Sequence, residues 1–452
     1  MALTSRTAAH PILDKIPPEI AIIDSDLLGS YARDERRFTG HAVPGAGRER
    51  VGAGAELTGE VVDRWVGVGR VGVGTAREAG AAAVREAVTG RQPVLLLMGC
   101  SADYDPVELV AGVVEVVGQV PMIGTTTGSV SRSARGGVVV VAFGGVGFAA
   151  ATAGAAVGAA GLRHAGARAA ACVNDVAGSA HQVLVLMSDG ATGDQQEVVR
   201  GAYQVTGAGV PLVGAAGGAV VGGGASWQVR DGRVFTGAVV AAALGSQAPF
   251  GVGVGHGWQP VGAPMLAIAS TGNVVHELDD QPALQVYVDR LNQLGATASL
   301  AGTDSPGWDA KLFARVAGTH PLGLLRRSGH QIRSVVGGDP ASGSLICAAE
   351  VPPAALASLM TGDATSVLAG ADQACRNARA GLDGQAPLGL LVFNCVARRW
   401  ILGDGGAIQE AHRIATHAEG AVVGGVYTFG EFARTQGFAG FHNKTLVVLA
   451  VG

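Results

Sequence analysis

Pro121-Met122-Ile123-Gly124-Thr125-Thr126 returns at an offset of 90 residues as Pro211-Leu212-Val213-Gly214-Ala215-Ala216, a proline, two apolar residues and a glycine leading into small side chains. Each copy has the apolar content and the bounding turn residues of a short buried strand. Upstream of the first, Val66–Val73 and Val94–Met98 read as strands and Ala76–Val88 as an Ala-rich helix. Asp105-Pro106, an N-cap residue before a proline, starts a further helix over Val107–Val117. Val138–Phe143 closes a β-α-β-α-β-β series. Around the second copy the order repeats with a strand at Phe148–Ala155, a helix at Ala165–Ala177, the strand Val183–Met187 ending at Ser188-Asp189, a helix from Gln195, and Phe235–Leu244.

A third, more diverged copy is expected near the end of the sequence. Its reading takes Leu345–Ala349 as first strand, Ser366–Ala380 as first helix, Leu388–Phe393 as second strand, a helix around Glu410–Ala415 and a strand at Gly420–Gly425, with Gly424 in the place of Gly124 and Gly214. Leu446–Leu449 is the last strand, and Phe250–Ser342 is an inserted middle segment. The expected fold is α/β, with three diverged β-α-β-α-β-β units forming mixed sheets covered by helices.

Composition supports a tightly packed chain. Of 452 residues 48% are hydrophobic, 15% are charged and 72 are glycine, and the glycines lie inside Val- and Ala-rich runs, as close-packed strands require. A net charge of −4, with no basic run interleaved with aromatics, argues against nucleic-acid binding. Five cysteines, widely spaced and without a Cys-x-x-Cys, fit a reducing cytoplasm better than a disulfide framework or a zinc site. The charge-free windows 136–162, 201–229 and 234–276 are broken by glycine pairs or proline and divide into strand-sized pieces, so no membrane span is expected. Residues 1–60 differ in composition from the rest and read as an N-terminal extension, either a tail or a docking segment for a signalling or assembly partner.

Polar residues gather where the strands end. Cys395-Val396-Ala397-Arg398 follows the strand at Leu388–Phe393, Tyr427-Thr428-Phe429-Gly430-Glu431 follows the next, and Phe441-His442-Asn443-Lys444-Thr445-Leu446 opens the last. These motifs resemble the C-terminal half of the FIST family. Val94–Leu97 with Asp103-Tyr104-Asp105-Pro106, and Pro121–Gly128, are similar to its N-terminal half, and His256–Gly262 and Glu277–Ala283 are also family-like. The resemblance runs from about Val61 to the end. It implies two FIST-type domains, 61–247 and 248–452, and a module that senses small ligands, amino acids among them, beside signalling partners.

Arg398, Glu431, His442 and Asn443 have the chemistry to hold a zwitterion: a guanidinium fork grips a carboxylate, while a carboxylate and an amide oxygen take an ammonium. Tyr427 adds an aromatic wall. Cys395 beside Arg398 is either a packed small hydrophobe or a nucleophile with His442 as its base. In the first half Asp103, Thr125, Thr126 and Thr127 are the strand-end candidates, since ligands of α/β proteins bind at such tips. Asp105 reads as a helix cap. His256 and His276 lack partners at ligand spacing, so no metal is expected. Gly251-Val252-Gly253-Val254-Gly255 lacks the order of a dinucleotide fingerprint and no Walker-type Gly-Lys-Ser/Thr occurs, so no cofactor is expected. The reading is a cytoplasmic small-ligand sensor that signals to a partner, with a Cys395 enzyme and a scaffold docked through residues 1–60 as its rivals.

Overall fold

The computed structural model describes residues 20–23, 63–127, 137–218, 226–296, 308–327, 329–434 and 440–452. After the short strand β1 (Ile20–Ile23), the first unit runs β2 (Trp65–Val71), α1 (Ala76–Val88), β3 (Pro93–Cys100), α2 (Pro106–Val117), β4 (Met122–Thr126) and β5 (Val138–Gly144). The second runs β6 (Phe148–Ala156), α3 (Gly161–Ala170), β7 (His181–Asp189), α4 (Gln196–Thr206) and β8 (Leu212–Gly217). It then makes a hairpin, β9 (Gln228–Arg230) and β10 (Arg233–Phe235), before closing with β11 (Ala238–Ser246).

The third unit begins at β12 (Phe250–Gly255), not at Leu345. An inserted lobe then interrupts it. Strands β13 to β20 occupy Gln259–Thr271, Val274–Leu278, Gln281–Pro282, Leu322–Arg326, Gly329–Arg333, Val335–Asp339, Ser344–Cys347 and Ala355–Thr361. Helices α5 (Ala283–Gln293) and α6 (Ala310–Ala317) pack on them around a core of their own. The unit resumes with α7 (Ala364–Ala380), β21 (Gly389–Cys395), α8 (Val396–Ala418) and β22 (Val422–Thr428), adds the hairpin β23 (Gly430–Arg434) and β24 (Phe441–His442), and ends at β25 (Leu446–Val451). The expected first strand at Leu345–Ala349 is thus corrected: Leu345–Cys347 belongs to the inserted sheet, and the insertion falls between the first strand of unit three and its helix.

All three units share one sheet order, third strand, second, fourth, first: β4-β3-β5-β2, β8-β7-β11-β6 and β22-β21-β25-β12. Second and third strands pair parallel across a helical crossover, and the other pairs are antiparallel. In register, Gly124 lies opposite Met98 and Gly214 opposite Leu186, both on the helix-covered face, whereas Gly424 lies opposite Leu391 of the central core. The place expected for Gly424 is held by its neighbour Gly425, opposite Val392, because successive strand residues face opposite sides. One face of each sheet contributes to a single central core, with Leu97, Val141, Val185, Val240, Leu391 and Leu449 among its members, and the other faces are covered by the helices.

Close packing accounts for the glycine content. A Cβ on Gly251 would lie 1.7 Å from the Ala378 carbonyl oxygen and one on Gly253 1.9 Å from that of Ala374, so the α7 backbone rests directly on β12. Gly67 and Gly69 do the same for α1 on β2. Here the alternating glycines serve helix contact. Asp105 caps α2, accepting from the N–H groups of Val107 at 2.8 Å and Glu108 at 3.1 Å. Among the described residues no helix is long and apolar enough to cross a membrane.

Candidate functional site

The C-terminal ends of the parallel strands meet at the middle of the three sheets. Thr127 and Val426 both crowd Gly99, Thr125 Oγ1 would lie 2.1 Å from a Cβ on Gly217, and the Phe429 ring lies 2.3 Å from one on Gly218. Strand β23 crosses to pair with β8, setting Glu431 opposite Ala215. Third strands of all three units therefore converge here, which brings Thr125 and Thr127 to the junction that also holds Phe429–Glu431.

Unit three supplies most of the ionisable groups. Cys395 is the last residue of β21 and the N-cap of α8, and its backbone N–H donates to Thr445 O at 3.0 Å. Thr428 lies opposite Cys395 at the end of β22 and donates its hydroxyl to Glu431 Oε1 at 2.6 Å. Thr445 donates to Glu431 Oε2 from its hydroxyl at 2.7 Å and from its N–H at 3.3 Å. The Glu431 carboxylate is thus held by the residues that flank Cys395 on both neighbouring strands. Burial pushes its pKa up from 4.5 to about 7, against the opposing pull of the Thr428 and Thr445 hydrogen bonds.

Lys444 was not singled out from the sequence, yet it is fully buried. Its Nζ donates to Gly318 O at 2.7 Å and lies 5.5 Å from the Trp258 ring centroid and 5.6 Å from that of Trp400. Two ammonium hydrogens remain beyond that bond. Trp258 Nε1 donates back to Lys444 O at 3.1 Å, fixing one ring. Burial lowers the Lys444 pKa to about 8, partly offset by the Cys395 and Glu431 charges. Of the two rings, Trp258 is buried and Trp400 is 50% exposed.

Asn443 is 1% exposed, and neither its Oδ1 nor its Nδ2 has a hydrogen-bond partner among the described residues. Thr125 Oγ1, Thr127 Oγ1 and Asn394 Oδ1 are likewise buried without partners. Leaving such groups unpaired costs roughly 1–3 kcal/mol each. Thr125 and Thr127 lie at the central junction, while the Asn394 amide faces the Arg398–Glu410 pair. Thr126 faces elsewhere, its hydroxyl bonded to Ser226 at 3.1 Å. His442 donates from Nε2 to Ala433 O at 3.0 Å, and burial lowers its pKa to about 4, so it is neutral at physiological pH. Tyr427 is buried in β22 opposite Asn394.

Two anticipated roles change. Arg398 does not offer its fork to a ligand: it pairs with Glu410, both side chains being withdrawn from solvent, and donates to His256 O and Val367 O at 3.0 Å each. Asn394 Nδ2 holds the other oxygen of Glu410 at 2.6 Å. Its carboxylate partner is internal. The Cys395 thiol sits near the N–H groups of Ala397 and Lys444, but burial first and the Glu431 charge second push its pKa up to about 12, which opposes thiolate chemistry. Asp103 belongs to a local turn just past β3, in which the Ser101 hydroxyl donates to it at 3.0 Å. Ser188 is buried and donates to Gln195 Oε1 at 2.6 Å.

A FIST N domain model matches residues 94–281 and a FIST C domain model matches residues 283–434. The chain belongs to the FIST family. The two matches meet within the inserted lobe and together span most of the three units. FIST domains are sensory, ligand-binding modules of signalling proteins. No curated protein matches this FIST chain. Among solved structures a cyanuric acid hydrolase from A. caulinodans is similar at 10% identity over 86% of this chain and 99% of the hydrolase, with a TM-score of 0.32.

Proposed function

We propose that this FIST protein is a cytoplasmic sensor that takes a small carboxylate, an amino acid or a close relative, at the strand-end junction and passes its occupancy to a partner protein. The observation that carries the reading is the Asn443 side chain, buried with both amide atoms unpaired among the described residues and next in the chain to a buried ammonium. The uncommitted hydrogens of Lys444, with Asn443 Nδ2, suit a carboxylate. Asn443 Oδ1 and Glu431 suit an ammonium, and Tyr427 and the tryptophans supply apolar walls. Arg398 supports the site by holding the start of α8 against α7 and β12. Unpaired thiols at all five cysteines support a reducing compartment. Catalysis by Cys395 has the buried, high-pKa thiol against it. Native mass spectrometry of the purified chain, followed by calorimetry with a panel of amino acids and short carboxylates, tests the proposal. A retained or titrating carboxylate supports it; a chain that binds none overturns it.

A further inference from the structure

The three sheets differ at one edge. In the first, β4 is extended by β9 and β10, and in the second, β8 by β23 and β24. Both additions are antiparallel hairpins that the following unit supplies from within its own chain path. They end in strands of three and two residues, Arg233–Phe235 and Phe441–His442, short edges that resist further pairing. The third sheet ends otherwise. Its β22, Val422-Val423-Gly424-Gly425-Val426-Tyr427-Thr428, is seven residues long with no charge and no proline. What covers it among the described residues is β1, four residues paired parallel from Ile20 opposite Val423 to Ile23 opposite Val426.

We infer that the β22 edge is a docking site for an extended apolar peptide strand of a partner protein, added in parallel register, and that Ile20–Ile23 occupies it in cis until displaced. The inference goes beyond the ligand reading and does not depend on it. The hairpins at the other two edges lie within the chain path of a unit, whereas β1 lies outside all three units, is connected to the first of them in sequence by residues 24–62, and contacts β2, β5 and α8 besides its β22 ladder. A uniform row of backbone donors and acceptors on an uncharged strand supplies the affinity of strand addition. The sequence Ile20-Ala21-Ile22-Ile23 shows what the edge accepts. Next to it lies a narrow apolar gap of about 20 Å³ between the first and third sheets, lined by Leu97, Met98, Val141 and the Gly424, Gly425 and Val426 that β1 pairs with, too small for a side chain, so affinity at this edge rests on the backbone ladder. The same strand carries Tyr427 and Thr428, which hydrogen-bonds Glu431, so an event at its edge adjoins the candidate ligand site.

The test uses the full chain, an Ala21→Pro/Ile22→Pro variant that cannot complete the β1 ladder whichever of the two residues donates, and a labelled synthetic peptide of residues 18–26. A tethered strand acts at millimolar effective concentration, so the peptide should bind the variant at least about tenfold more tightly than the wild type. Hydrogen exchange at Val423–Val426 should be slow in wild type, fast in the variant and slow again with peptide. The single Ile22→Pro chain serves if the double variant does not fold. Equal binding to wild type and variant, no binding to a folded variant, or wild-type protection that appears only on dimerisation would overturn the inference, the last by giving the strand to a second copy.

Discussion

Arg398 and Glu410 form an ion pair whose side chains are 0% and 1% exposed, twelve residues apart along α8 and on either side of the turn at Gly403, where φ is 60°. A buried pair of this kind is costly to break because the survivor keeps an unpaired charge away from water. Arg398→Ala should therefore destabilise the fold by about 3–5 kcal/mol, and Glu410→Ala by a similar amount. The joint change Arg398→Met with Glu410→Leu should recover most of the loss. Denaturant unfolding of the four chains checks this. An Arg398→Ala chain that keeps its stability while losing ligand would return the guanidinium to the role of a ligand clamp.

Glu431 gives the fold a pH dependence of definite sign. Its pKa is raised from 4.5 to about 7 by burial, so the folded state holds this proton more tightly than the unfolded chain. That contribution is complete below the unfolded value and is lost as pH rises through about 7. Lys444, lowered to about 8, has already lost its own contribution below that pH, while His442 and His256, each lowered from 6.5 to about 4 by burial, add a slope of opposite sign, so Glu431 is isolated by the difference from a variant. The stability difference between wild type and Glu431→Gln should fall by up to about 3 kcal/mol between about pH 5 and about pH 8. Urea titrations across that range read it. A difference independent of pH would show that the carboxyl titrates normally.

Thiol chemistry separates a packed cysteine from a nucleophile. All five cysteines are buried and unpaired, and the Cys395 thiol is raised to about 12. The native chain should react with iodoacetamide near pH 8 at least about a hundredfold more slowly than the unfolded chain. Peptide mapping after a timed exposure reports each position. Rapid labelling of Cys395 in the native protein would restore the enzyme reading.

The three-unit architecture was legible because each unit keeps its order of strands and helices and a glycine in its third strand, so the Pro121 and Pro211 runs align without help from the fold. The first strand of unit three was misplaced for a physical reason. Gly251, Gly253 and Gly255 are glycines because α7 rests on them, and the inserted lobe separates that strand from its helix by more than a hundred residues. Leu345–Cys347 is as apolar and lay nearer. Among site residues, Cys395, Glu431 and Asn443 stood out as polar groups at strand ends, which is where the fold puts them. Lys444 did not, since nothing local marks a lysine as buried: its enclosure comes from Trp258, Trp400 and Gly318, each distant in sequence. Arg398 was read beside Cys395 because its partner Glu410 lies beyond the Gly403 turn in α8. Residues 1–60 were read as an extension, and of these the structure describes Ile20–Ile23, paired with β22.

Asn443→Leu tests the central claim most directly. The amide is buried with no partner among the described residues, so an apolar side chain of similar size should leave stability unchanged or raise it by up to about 2 kcal/mol. If Asn443 binds ligand, the same change should weaken carboxylate binding by at least about tenfold. Calorimetry with the best ligand of the panel and denaturant unfolding, both on the one variant, give the two numbers. The account predicts lost binding with stability kept or raised. Undiminished binding, or a clear fall in stability with binding intact, would contradict it.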